Sequence, residues 1–263
     1  MISLTFDDGL DCHLDKAVPI LERYGLRGTF YVPVGGEEFE RRHRDWRAAA
    51  QAGHELGNHT IFHPGVSSKT WVTEGIALES YSTDRMAREL RAANTVLSLL
   101  DGQEERTFAF PCSNPWLGSP GWPRRILTRA GLDRTRLAGW VDRYQLDFGA
   151  TKVDYTPVVK PLFYAARCGG MAPNALPKTP PHRHQVRGVE GDGCTLAQLT
   201  AAVEAARQRQ AWLVLVFHGI GGGHHMSCDE DVFDGLCDCL ARGEEHTVVT
   251  FLQGAKRTWG NAR

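Results

Sequence analysis

Apolar and polar positions alternate in short blocks along this chain. Runs rich in β-branched and aromatic residues predict strands at ISLTF (2–6), GTFYVPV (28–34), HELGN (54–58), TFAFP (107–111), ATKVDY (150–155), LFYAAR (162–167), WLVLVFHG (212–219) and HTVVTF (246–251). Between them, apolar residues recur at helical spacing in 15–25, 44–53, 82–102, 121–131 and 195–210. Gly25, Gly53, Gly102 and Gly131 close four of these blocks and fit helix C-caps. Strand, helix, strand with short links implies a parallel sheet, and this many units predicts an α/β fold of irregular (β/α) barrel type. Residues 168–193, CGGMAPNALPKTPPHRHQVRGVEGDG, are dense in Gly and Pro and read as a long surface excursion. A strong strand pattern follows it, so residues 1–263 are expected to form one domain.

Composition narrows the class. With 263 residues, 42% hydrophobic and 23% charged, the chain can bury the core of a single barrel. A formal net charge of −1 gives no electrostatic pull toward nucleic acid. No apolar run approaches the roughly 18 residues of a membrane span. No charged and apolar leader precedes the first strand pattern, so a cytoplasmic location is expected. Seven cysteines at scattered spacing argue against a disulfide framework. Cys237 and Cys239 fall in a helical pattern, where positions two apart do not face each other, so helix packing is expected of them rather than metal binding.

Candidate chemistry gathers where strands are expected to end, which is where barrel enzymes place their active sites. The first strand ends on Asp7 and Asp8, side by side before Gly9. A surface turn would tolerate the pair; alternatively, one carboxylate binds a cation while the other handles a proton. In GHELGNHTIFHP, His59 and His63 are four apart, and one helical turn would bring both imidazoles to one side. With an Asp from another strand end they would complete a two-histidine, one-carboxylate metal set with open positions. His218 ends six apolar positions and precedes a glycine-rich loop. Solvated positions are expected for His182, His184, His224 and His225, and packing roles for Trp116, Trp122 and Trp140.

TFDDG, HTIFH and LVFHG, in this order, resemble the NodB-homology, or polysaccharide deacetylase, domain of carbohydrate esterase family 4. The resemblance runs from Met1 to about Phe251. It implies that Asp8, His59 and His63 hold one divalent metal ion, zinc by default, with cobalt, nickel or manganese able to use the same ligands. It implies that Asp7 is the general base and His218 the general acid. The family's third motif, an Arg-x-Pro-Tyr-like segment, is altered: TFAFPCSNPW puts Ala109 in place of Arg and Cys112 in place of Tyr. The backbone N–H of Cys112 can still serve the oxyanion site, since that role needs no particular side chain. Arg167, at the end of another predicted strand, is the candidate for the missing arginine.

The activity implied is a metal-dependent hydrolase removing acetyl groups from an N-acetylated sugar or glycoconjugate. The substrate partner is then an acetylated carbohydrate, with no nucleic acid and no membrane span. An O-acetyl carbohydrate esterase or a cyclic amide or imide hydrolase would use the same machinery. A carbohydrate-binding relative without turnover would need no base and acid together. A non-haem iron oxygenase would leave the second Asp and His218 unexplained. Residues 168–193 are expected to form one wall of the substrate site.

Overall fold

The strand-forming blocks close into one barrel. The computed structural model describes residues 1–260 apart from 68, 74, 119–125, 128, 133–134, 138–139, 141–151, 171–172, 175–181 and 244–246. Among the described residues the first nine strands are β1 (Ile2–Phe6), β2 (Thr29–Val32), β3 (Glu55–Asn58), β4 (Thr107–Ala109), β5 (Trp116–Leu117), β6 (Val153–Asp154), β7 (Ala165–Gly170), β8 (Val186–Glu190) and β9 (Leu213–Phe217). Seven of them, in the order β1-β2-β3-β4-β7-β8-β9, form a closed parallel barrel, with β9 pairing back onto β1 from Ile2↔Leu213 to Phe6↔Phe217. The irregular (β/α) barrel expected from the sequence is therefore the fold.

The barrel wall is apolar for a physical reason: parallel strands are covered on both faces. Ile2, Leu4 and Phe6 pack into one cluster with Leu213, Leu215 and Phe217 and with the helix residues Leu21, Trp46 and Leu236. The helix Thr83–Asp101 starts at Ser82, whose side chain accepts from the Arg85 N–H, and stops at Gly102, whose φ of 73° a residue with a Cβ adopts at a cost. In the helix Glu230–Arg242, Cys237 is buried and Cys239 exposed, and all seven cysteines are free thiols. None of the helices formed by the described residues is long and apolar enough to cross a membrane.

Three segments differ from expectation. The 168–193 stretch is not wholly irregular: β7 runs on to Gly170, and Val186–Glu190 is a full barrel strand. Its three strand glycines, Gly169, Gly170 and Gly188, and flanking Pro content hid the alternation that normally announces a strand. ATKVDY contributes only Val153–Asp154, antiparallel to β5 and outside the barrel. HTVVTF contributes a single bridge, Ile2↔Val248, before Thr250 caps a helix over Phe251–Trp259.

Candidate active site

The site is built where β1, β3, β4, β7, β8 and β9 end. Strand β1 stops at Phe6; Asp7 and Asp8 lie just beyond it, and the chain bends at Asp8 (φ 77°) and Gly9 (φ 62°). A left-handed Asp is uncommon but tolerated, and it turns the second carboxylate to the side its neighbour already serves. Gly9 could not be replaced cheaply, because a Cβ there would stand 2.9 Å from Val32 Cγ1.

His59 follows β3 directly. The helical turn expected between His59 and His63 does not form. Instead Thr60 (φ 69°) and His63 (φ 47°) both take left-handed conformations in a tight loop. The loop is held by side chains. Thr60 N–H donates to Asn58 Oδ1 (2.7 Å), His63 N–H donates to Thr60 Oγ1 (2.9 Å), and the Ile61 and Phe62 N–H groups donate to Glu89 Oε1 (3.1 and 3.2 Å). Glu89 is itself buried on the helix Thr83–Asp101 and accepts from Tyr81 Oη at 2.8 Å. Such scaffolding keeps strained backbone in place at functional sites.

The two imidazoles converge on one oxygen. Asp8 Oδ1 is 3.5 Å from His59 Nε2 and 3.2 Å from His63 Nε2, and it is buried without a well-formed hydrogen bond from the described residues. His59 Nδ1 lies 2.8 Å from the Ala109 carbonyl oxygen, which assigns the ring proton to Nδ1 and leaves Nε2 as a lone-pair donor. Burial, followed by His59, lowers the His63 imidazole to about 4, so it is neutral at pH 7. Two converging ring nitrogens, an ionised carboxylate and an unsatisfied oxygen fit a divalent cation.

Asp7 has different company. Burial alone would raise its carboxyl, but the Arg167 guanidinium, then His59 and His218, outweigh burial and hold it below the usual carboxylate value. Both Asp7 oxygens accept from Arg167 Nη2. Register explains how an arginine on β7 arrives there. Arg167 pairs with Ala109, the position where the third motif normally has its arginine, so the guanidinium enters from one strand further round. Gly188 leaves it room, since a Cβ there would come within 2.5 Å of Val216 Cγ2 and 3.1 Å of Arg167 Cδ. The Tyr31 ring lies 5.1 Å from the guanidinium carbon.

On the opposite side, His218 Nδ1 is 2.6 Å from Asp192 Oδ2, and the His218 N–H also donates to that carboxylate. Burial would lower this imidazole; the Asp192 hydrogen bond and the charges of Asp7 and Asp8 instead raise it to about 9. Nearby Glu190 is pushed up to about 7 by burial and by its hydrogen bond with Asp192. Below, buried His13 Nε2 sits 2.6 Å from the His218 carbonyl oxygen.

Asp7, Asp8, His59, His63, Arg167, Glu190 and His218 line one cleft of about 920 Å³, at the upper end of the usual range for ligand pockets. Cys112 also lines it, in a left-handed conformation (φ 51°), as do Gly169, Gly170 and Gly188 of the 168–193 stretch. That stretch contributes through strand ends, while 171–172 and 175–181 lie outside the described residues.

Several residues were missed or misjudged in the sequence. Asp192, in Gly191-Asp192-Gly193, could have been noticed as a polar residue following a strand, had β8 been visible. His224 is no solvated loop tip: its ring stacks on His218 at 5.3 Å and 18°, and it lines the cleft with His225. His184 is half-buried against the Phe163 carbonyl oxygen. The cleft tryptophan is Trp71, not Trp116 or Trp140, and Trp122 lies outside the described residues.

A parallel barrel with histidines, carboxylates and an arginine gathered at its strand ends has the layout of a barrel enzyme. Residues 1–127 match the family profile described as polysaccharide deacetylase. The chain is 24% identical over 140 residues to the peptidoglycan-N-acetylmuramic acid deacetylase PdaA of Bacillus subtilis, covering 53% of this chain and 44% of that protein. It spans less than half the length of the curated relatives it matches. The Xyl-CE4 domain of a multidomain xylanase from the hindgut metagenome of Trinervitermes trinervoides superposes with a TM-score of 0.54, at 14% identity, over 98% of this chain and 90% of that one. A family 4 acetyl xylan esterase from Clostridium thermocellum, solved with a cobalt ion, superposes with a TM-score of 0.51, at 18% identity, over 97% and 90%. Over residues 1–127 the chain is thus similar to polysaccharide deacetylases, and its barrel fold is shared with carbohydrate esterases of family 4.

Proposed function

We propose that this chain is a metal-dependent hydrolase that removes the acetyl group from a small acetamido sugar or glycoconjugate. The observation carrying this reading is the placement of three differently tuned groups around one cleft: the Asp8, His59, His63 cluster, the Asp7–Arg167 pair and the His218–Asp192 pair. Asp8, His59 and His63 would hold the cation, which when bound supplies Lewis acidity and makes water more acidic.

The chain's own residues supply the rest. Asp7, kept ionised by Arg167, accepts a proton from the attacking water. His218, protonated at pH 7 and fixed through Nδ1 by Asp192, presents Nε2 to the departing nitrogen and gives it the proton it needs to leave as an amine. The Cys112 N–H, on a residue that lines the cleft, would donate to the carbonyl oxygen as it gains charge. Arg167 does for Asp7 what a motif-three arginine on β4 would do. The match to a deacetylase acting on peptidoglycan supports an amino-sugar substrate over an O-acetylated one.

Acetate release tests the reading. Monomeric acetamido sugars, chitooligomers and acetylated xylan are compared after chelation and after re-addition of zinc, cobalt, nickel or manganese. The expected result is release from the small acetamido sugars only when a divalent ion is restored. Equal release after chelation, or a clear preference for acetylated xylan or long chitooligomers, would overturn it.

A further inference from the structure

The cleft wall next to His63 carries an aromatic surface that the catalytic groups leave unused. Trp71 is 44% exposed, whereas Trp46 and Trp212 are fully buried. Its ring centre lies 6.3 Å from the His63 ring, within the cleft that holds Asp8 and His218. An indole exposed in a cleft costs apolar hydration unless a ligand covers it.

The segment bearing Trp71 is built rather than loose. Ser67 donates through both N–H and Oγ to Glu79 Oε1 (2.9 and 2.7 Å). Leu78 N–H donates to the Gly65 carbonyl (2.8 Å), and Val72 N–H to that of Lys69 (3.1 Å). Gly65 lets the turn close on itself, since a Cβ there would stand 2.8 Å from Val72 Cγ2 and 3.6 Å from Trp71 Nε1. Lys69 Nζ sits 5.9 Å from the indole centre, placing a hydrogen-bond donor at the rim. A rigid aromatic face with a polar group at its edge suits a ring that is apolar on one face and hydroxylated around its perimeter. A pyranose has that shape.

We infer that Trp71 is the platform on which the acetyl-bearing pyranose ring lies, its acetyl group directed toward Asp8, His59 and His63. The inference rests on the deacetylase reading for the direction of the acetyl group. The spacing commits the platform to the reacting sugar: an acetamido substituent is only a few bonds long, and the indole adjoins a proposed metal ligand.

The test uses the metal-loaded Asp7→Asn protein, which keeps its ligand intact, and the methyl glycoside of N-acetylglucosamine as probe. Affinity and saturation transfer to the sugar protons are measured with Trp71 retained, with Trp71→Tyr and with Trp71→Ala. Trp71→Ala is expected to weaken binding roughly tenfold and to abolish preferential saturation of one pyranose face, while Trp71→Tyr stays within about threefold. Unchanged affinity in Trp71→Ala overturns the inference. So does equal weakening in both variants, which would mark a structural role, or a loss seen only with longer saccharides, which would assign the indole to a neighbouring sugar. Acetate release by the wild-type enzyme is measured separately. A protein that binds the glycoside through Trp71 without releasing acetate defeats the deacetylase reading alone, and one that does neither defeats both.

Discussion

Two histidine–carboxylate clusters face each other across the cleft, and they are made differently. In Asp8–His59–His63, two ring nitrogens stand 3.2 and 3.5 Å from one carboxylate oxygen, too long and too crowded for each to be a good hydrogen bond. In Asp192–His218, one nitrogen meets one oxygen at 2.6 Å, and the backbone N–H of the same histidine donates to the same carboxylate. Electrostatics follow the geometry: His63 is lowered to about 4 and His218 raised to about 9. The first cluster keeps the His63 imidazole neutral and offers ring nitrogens beside a carboxylate oxygen; the second keeps its imidazole charged and holds a proton. Residue type alone does not distinguish them, since each contains His and Asp within 4.8 Å.

The largest expected effect breaks the first cluster. His63→Ala should lose the bound cation and with it nearly all turnover, read by elemental analysis and acetate release. Asp7→Asn should retain the cation and lose about 10²- to 10⁴-fold in kcat, the usual worth of a positioned base. Full cation content in His63→Ala, or near wild-type kcat in Asp7→Asn, would dissolve the assigned difference between ligand and base.

Asp192→Asn attacks the second cluster without touching the first. Its expected cost is roughly 10²-fold in kcat with cation content unchanged. The pH dependence fixes the sign. A histidine whose folded pKa exceeds its ordinary 6.5 adds stability that is fully present below 6.5 and is lost as pH rises through about 9. The wild-type alkaline limb should therefore fall near pH 9, and in Asp192→Asn it should move down toward neutrality. An NMR titration of the His218 ring checks this directly; an unmoved midpoint would show that Asp192 is not what holds the proton.

Arg167→Ala should cost about tenfold or more. Without the guanidinium, burial raises the Asp7 carboxyl, so the acid limb of activity should shift to higher pH. Because Ala109 and Arg167 are register partners on neighbouring strands, Ala109→Arg should recover part of the loss. Recovery would show that the cation matters and its strand of origin does not.

That pairing also marks the limit of what the sequence could say. Asp7, Asp8 and His218 were legible because each follows an apolar run that names its own strand end, and His59 and His63 because they stand four apart after a predicted strand. The strand–helix alternation likewise made the barrel legible. Asp192 was not, because β8 carries Gly188 and Arg187 and is flanked by Pro- and Gly-rich sequence. Glu89 falls at an ordinary position of the predicted 82–102 helix and His13 just ahead of the first helical pattern, and only packing reveals that they brace the loops bearing His63 and His218. Arg167 could be named as a candidate, yet its partner depends on register, which periodicity does not report.

The smallest effect is expected at Cys112, and it separates backbone from side chain. Cys112 has φ 51° and ψ 25° between β4 and β5, a left-handed conformation at the cleft wall. If the N–H alone serves the developing oxyanion, Cys112→Ala should leave kcat within about threefold, since alanine keeps both the N–H and a single Cβ. Cys112→Gly should fold at least as well, because glycine adopts this φ without steric cost. Cys112→Pro should lose far more than either, because proline fixes φ near −65° and removes the donor. A Cys112→Ala enzyme as impaired as Asp7→Asn would mean that the thiol takes part in the chemistry, and that the cleft wall between the two clusters is reactive rather than supporting.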